Sequence, residues 1–93
     1  MIATVTQTTG AQPLEESRKL AEDLCPRVAA ADGCGGMLLL HDGSDLLAVT
    51  LWRDAEALKA FQAQRRLIVN EAQDRSGGNV GEDRVFEVVY RTE

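Results

Sequence analysis

The 93-residue chain holds one histidine, one tryptophan and one tyrosine. The first two, His41 and Trp52, stand in one stretch, Gly35 to Phe61, with Met37 and Thr50 beside them. His41 is the only side chain here whose ordinary pKa suits proton transfer near neutrality. Trp52 can stack on a ring and donate its indole N–H. Thr50 and Tyr90 offer hydroxyls, and Met37 an adaptable apolar surface. Each also has a plain structural reading. His41 abuts a turn and could simply cap it, Trp52 could anchor a strand to a helix, and Tyr90 lies close enough to the C-terminus to belong to an interface rim. One histidine without a neighbouring ligand pattern makes no metal site. The glycine-rich run Ser76–Gly81 lacks the lysine and the strand–loop–helix setting of a phosphate cradle, so it reads as a connector.

The elements that must position these side chains follow from hydrophobic pattern and turn chemistry. Met37–Leu40 and Leu46–Trp52 are apolar runs joined by His41-Asp42-Gly43-Ser44-Asp45, and the Asp-Gly and Gly-Ser pairs predict a β-hairpin. Asp54 can cap a helix opening at Ala55, with Glu56 in its first turn. Leu58, Phe61, Arg65, Ile68 and Ala72 share one face, so that helix extends to about Asp74. Upstream, Ile2–Thr8 is rich in β-branched residues and predicts a strand. Pro13 sits well at a helix start, and Leu14, Ser17, Leu20, Ala21, Leu24 and Val28 recur at helical spacing. Pro26 falls inside that pattern and predicts a kink, or an end to the regular helix near Leu24. Asp32-Gly33 closes the element. Arg84–Arg91 predicts a last strand.

The order β-α-β-β-α-β is the ferredoxin-like split arrangement, an α+β fold with both helices on one face of an antiparallel sheet and the first and third strands central. It occupies residues 1–93 as one domain. With a tight turn of even length, Leu38, Leu40, Leu47, Val49 and Leu51 share one face of the hairpin. Met37, Leu39, His41, Leu46, Ala48, Thr50 and Trp52 share the other. The purely aliphatic set is expected beneath the helices. The second set, carrying His41, Thr50 and Trp52, is expected to wall a cavity between two sheets packed face to face, because soluble monomers rarely expose so large an apolar patch. The expected partner is therefore a second copy of the chain, a homodimer.

Composition narrows the remaining choices. The net charge of −5 argues against nucleic acid, whose binding rests on basic residues. No charge run points to a membrane surface, the N-terminus lacks the pattern of a signal peptide, and no apolar run approaches a transmembrane span. The expected location is cytoplasmic. Cys25 and Cys34 there are expected to be thiols that pack as small hydrophobes.

The segment Leu51-Trp52-Arg53-Asp54-Ala55-Glu56-Ala57-Leu58, with the Asp32–Gly36 strand entry and the terminal Val85–Tyr90 run, resembles the dimeric α+β barrel proteins. Within them it resembles the antibiotic-biosynthesis-monooxygenase-like group. Members include cofactor-free oxygenases of quinols and aromatic polyketides, and haem-degrading enzymes. For the haem-degrading branch the resemblance implies a second tryptophan at the position of Phe61, a ligating histidine near Glu71 and an N-terminal asparagine where this chain offers Gln7. All three differ, so no haem and no other cofactor is expected. The oxygenase branch implies deprotonation of a quinol-like or aromatic polyketide-like molecule, whose anion reduces dioxygen directly. His41 would be the base, and Trp52, Thr50, Met37 and Tyr90 would contact the substrate. The alternative is a non-catalytic homodimer that binds a small apolar or aromatic molecule, or serves as a structural module.

Overall fold

The β-branched opening segment forms β1 (Ile2–Thr9), and the positive φ of Gly10 turns the chain away from it. Helix α1 (Leu14–Ala29) follows, with Pro13 one position before its first residue. Leu20, Leu24 and Val28 are buried at helical spacing. Of the two outcomes expected at Pro26, a kink or an end near Leu24, the end does not occur, since the helix continues through Pro26 to Ala29. Glu22 and Pro26 both lie on the exposed side, so the carbonyl that loses its donor at Pro26 can be satisfied by water. The computed structural model describes residues 1–92.

Strands β2 (Cys34–His41) and β3 (Leu46–Trp52) form the expected hairpin. Its turn is held by the Asp42 carboxylate, which accepts the backbone N–H groups of Ser44 and Asp45 at 3.0 and 2.8 Å. Gly33 enters β2 at a φ of 80°, and a Cβ there would meet that of Ala57 at 2.4 Å. Only glycine permits this approach of the strand entry to the following helix. Asp54 caps that helix, α2 (Ala55–Ser76), by accepting the N–H of Ala57 at 2.9 Å. The chain closes with two short strands, β4 (Asn79–Val80) and β5 (Arg84–Glu87). Both pair with β1, on either side of the interruption at 81–83. The expected final strand is thus shorter, and Tyr90 lies beyond it. The sheet order is β2-β3-β1, then β4 and β5 along the far edge, all antiparallel. This is the ferredoxin-like α+β topology, with β3 and β1 central. Among the described residues no helix is long and apolar enough to cross a membrane.

The register keeps the two expected sets together, since Leu38 faces Val49, Leu40 faces Leu47, and Met37 faces Thr50. Their sides are exchanged. Leu38 is 62% and Leu40 48% exposed, whereas Leu46 and Trp52 are buried at 4% and 1%. Leu39 and Leu46 pack with Leu20 and Leu24, and Trp52 packs with Ala57, Leu58 and Phe61. The physical reason is volume. The indole of Trp52 is the largest fully buried side chain, and the start of α2 encloses it with Ala57, Leu58 and Phe61, beside Ile2, Ala31 and Cys34.

Candidate functional site

Alternation along β1 carries Thr4, Thr6 and Thr8 to the face beneath the helices, opposite Thr50, Ala48 and Leu46 of β3. Small residues at Ala48 and Thr50 do not fill the space under α2. A cavity of about 110 Å³ remains between sheet and helices. Its floor is the threonine row, its roof includes Leu24, Phe61 and Ile68, and Met37, Thr50 and Trp52 also line it. The chamber therefore lies within one chain under the helices, and not between two sheets. The Trp52 and Phe61 rings meet at 4.9 Å, tilted by 38°. The Trp52 indole N–H donates to Thr4 Oγ1 at 3.3 Å, so it serves the packing of the wall and is already engaged.

One charged pair stands in this wall. Arg65, from α2, donates through Nε to Asp83 Oδ2 at 2.7 Å and through Nη2 to Asp83 Oδ1 at 2.9 Å. Nη2 also reaches the Gly81 carbonyl at 3.5 Å, and the Thr6 hydroxyl donates to Asp83. Only 27% of the Arg65 side chain and 15% of that of Asp83 are exposed. Two parallel bonds in so sheltered a place hold the guanidinium plane fixed. Cys25 lines the cavity as well, and burial pushes its thiol above the usual range. It stays protonated and is no nucleophile near neutrality.

Two of the residues expected at the site stand elsewhere. His41 shares the inner face by register, opposite Leu46. It lies at the last rung, however, where the ring reaches the chain entering α1. Its Nε2 is 3.1 Å from the Gln12 carbonyl, and its Nδ1 accepts the Gly43 N–H at 3.0 Å. The neutral Nε2–H tautomer satisfies both partners, and His41 is not among the lining residues. Tyr90 is 83% exposed, past the end of β5. The base and one of the four contacts expected from sequence are therefore outside the chamber, while Met37, Thr50 and Trp52 are on it. Sequence reasoning passed over Thr4, Thr6, Thr8, Arg65 and Asp83. The threonines gave a signal, a strict two-residue alternation, and Arg65 gave another by interrupting the apolar stripe of α2. Asp83 gave none, because only the interruption of the edge strand turns it inward.

A second depression, of about 390 Å³, lies on the outer face, bordered by Val5, Gln7, Leu47, Glu82 and Arg84. It has no aromatic wall, and its charged residues are exposed. Among the described residues there is no cluster of three or more His, Cys, Asp or Glu able to hold a metal ion.

No protein-family model matches the chain, and no curated protein matches it by sequence. Its fold is nonetheless shared with solved structures. A mutant of SnoaB, a cofactor-independent oxygenase from Streptomyces nogalater, superposes with a TM-score of 0.76 at 15% identity, covering 97% of this chain and 94% of that one. A structure described as an antibiotic biosynthesis monooxygenase gives 0.69 at 15%, covering 97% and 100%. The haem degrader MhuD from Mycobacterium tuberculosis, with two haems bound in its active site, gives 0.61 at 21% identity over the whole of both chains. Haem does not fit the residues present here. No histidine lines the cavity, and Glu71, at the position where the resemblance places the ligand, pairs with Arg27 of α1 and with Arg75 one turn along α2.

Proposed function

We propose that this protein is a cofactor-independent monooxygenase acting on a quinol-like or aromatic polyketide-like small molecule. The observation that carries the reading is the chamber itself. It is apolar and sheltered, walled by Trp52 and Phe61 and floored by hydroxyls, in the fold that a cofactor-independent oxygenase also adopts. The chemistry asks little of the protein beyond such a space. A hydroquinone loses a proton, and its anion passes an electron to dioxygen. The two radicals combine, and the peroxide so formed collapses to a hydroxyquinone and water. One oxygen atom stays in the product and the other leaves with two hydrogens, so no external reductant is consumed. The chamber favours this by excluding water and holding the ring in place.

Size restricts the substrate. An apolar cavity of about 150 Å³ takes up benzene, and this one measures about 110 Å³. Even one ring requires the walls to yield, and Met37, unbranched and adaptable, is the side chain best suited to do so. Single-ring quinols fit with the least movement, and fused-ring compounds exceed the present volume of the cavity. The test is an oxygen-electrode screen of hydroquinones, then naphthols and anthrones, on protein stripped of metal, flavin and haem. Uptake with stoichiometric product supports the reading. One observation favours the second reading, non-catalytic binding of the same class: the ionisable side chains on the wall are Cys25, Arg65 and Asp83, and none is a free base. No uptake, together with thermal stabilisation by an aromatic ligand, would decide for it.

The outer face bears on the same reading. Leu38, Leu40, Val5, Leu47, Val49 and Leu51 form a nearly unbroken aliphatic surface with no helix over it. We propose that a second copy of the chain covers it, sheet against sheet, so that the working unit is a homodimer.

A further inference from the structure

Arg65 interrupts the apolar stripe that Leu58, Phe61, Ile68 and Ala72 lay along α2. A sheltered ion pair is a weak source of stability, because desolvation offsets most of its attraction, and apolar residues of similar volume commonly serve as well or better. Something besides stability is needed to account for a guanidinium there. Its bonding is one-sided. Asp83 takes Nε and Nη2, and the Gly81 carbonyl lies within reach of Nη2 again. Nη1 has no protein partner among the described residues. Asp83 is also held by Thr6, so the plane of the guanidinium is fixed and its spare edge is preformed. Apart from this pair and the Trp52 indole N–H, which is engaged by Thr4, the lining side chains are apolar, a thiol or hydroxyls.

We propose that Arg65 is the specificity-determining residue of this chamber and takes an oxygen of the bound molecule, so that the ligand class is a single-ring phenol, quinol or quinone. A guanidinium is a planar, weakly hydrated donor suited to an oxygen acceptor in a dry site. Because Asp83 neutralises its charge, the pair favours a neutral or partly anionic oxygen over a full carboxylate. Asp83 and Thr6 act through Arg65 as positioning residues. The inference rests on the chamber being a ligand site, as proposed above, but it does not require the oxygenation.

The test compares phenol with toluene, which match closely in shape and differ in the oxygen. Binding is measured by calorimetry and by the fluorescence of Trp52, the single tryptophan, which lies on the chamber wall. In Arg65→Met/Asp83→Asn, which leaves no charge unpaired, the ratio of phenol to toluene affinity should fall about tenfold or more, the scale of a hydrogen bond from a charged donor. Toluene itself should bind as before. Asp83→Asn alone keeps the donor and one of its two anchoring oxygens, so the ratio should fall by less than in the double variant, and benzoate should gain affinity. An unchanged ratio in the double variant, or a fall in toluene affinity as large as that in phenol affinity, would overturn the proposal. If the double variant does not fold, Arg65→Lys keeps the charge without the fork, and the ratio should fall severalfold; no change would overturn the proposal. Wild-type protein that binds neither compound would overturn this proposal and the chamber reading together. Oxygen uptake from quinols without any Arg65-dependent preference would leave the chamber reading standing and remove this one alone.

Discussion

The two faces of the single sheet differ in the opposite sense from what burial alone would dictate. The face under the helices presents Thr4, Thr6, Thr8 and Thr50 alongside its apolar residues, whereas the face turned to solvent is aliphatic along both hairpin strands. Hydroxyls in a core are costly unless paired. Two of them are engaged, Thr4 by Trp52 and Thr6 by Asp83, and the row floors a chamber. Polarity inside and aliphatic surface outside are what a protein needs if its interior holds a ligand and its exterior holds another copy.

The largest effect that tests this contrast is on stability. Trp52→Ala should cost about 3–5 kcal/mol, the range for removing a fully buried large aromatic. Leu40→Ala, on the outer face, should cost under about 1 kcal/mol when the protein is dilute enough to be monomeric. Urea unfolding of both variants reads the difference, and comparable losses would mean that the two faces are not distinct in the way described.

That contrast also marks where sequence reasoning succeeded and where it stopped. The hairpin, the Asp54 cap, the Gly33 entry and the sorting of the hairpin into two sets are local facts, set by turn chemistry and a period of two, and all were legible. Which set turns toward the helices is not a local fact. Both sets are apolar, and the choice depends on fitting one indole against Ala57, Leu58 and Phe61 across the chain. The chamber shared that fate, because the void above Ala48 and Thr50 exists only once Trp52 has taken its place. Asp83 was illegible for a related reason: its meaning comes from Arg65, 18 residues away on another element.

The next effect is on assembly. Val49→Asp places a charge at the middle of the outer face, where a covering copy would leave it without a partner. We expect light scattering to report a shift from dimer to monomer while circular dichroism and the chamber remain intact. Leu39→Asp, one position away from Leu38 and Leu40 on the same strand but packed on Leu20 and Leu24, should instead unfold the chain. Wild-type protein that is monomeric at micromolar concentration would leave the aliphatic face without the occupant proposed for it.

Acid should act on the helical cover of the inner face. Hydrogen bonding from the Ala57 N–H holds the Asp54 carboxyl below its ordinary value of 3.8. Asp23, bonded by Arg75 of the other helix, is lowered from the same value. A depressed folded pKa contributes stability that is complete above the unfolded value and is lost as pH falls through it toward the folded one. The melting temperature should therefore be nearly flat above about pH 5 and decline below pH 4. Asp54→Ala should start lower at neutral pH and decline less, since its share of the acid dependence is already gone. An equal decline in both proteins would mean that the cap contributes nothing to the pH dependence.

The smallest effect concerns His41, and it separates the chamber from the hairpin end. A positioned base contributes about 100-fold or more to turnover. The imidazole here lies off the chamber and bridges the Gln12 carbonyl and the Gly43 N–H. Its role is to tie the β2–β3 turn to the entry of α1, beside the 2.8 Å bond from the Ala11 N–H to the Ser44 carbonyl. His41→Ala should then cost about 0.5–1.5 kcal/mol of stability, the net worth of a hydrogen bond. At a temperature where both proteins are folded, it should leave oxygen uptake, or ligand affinity, within about twofold of wild type, far from the loss of a base. His41→Gln, which can restore one of the two bonds, should recover part of the stability and change neither function. A hundredfold fall in uptake in both variants, with folding intact, would return His41 to the reaction and show that the substrate extends past the threonine row to the hairpin end.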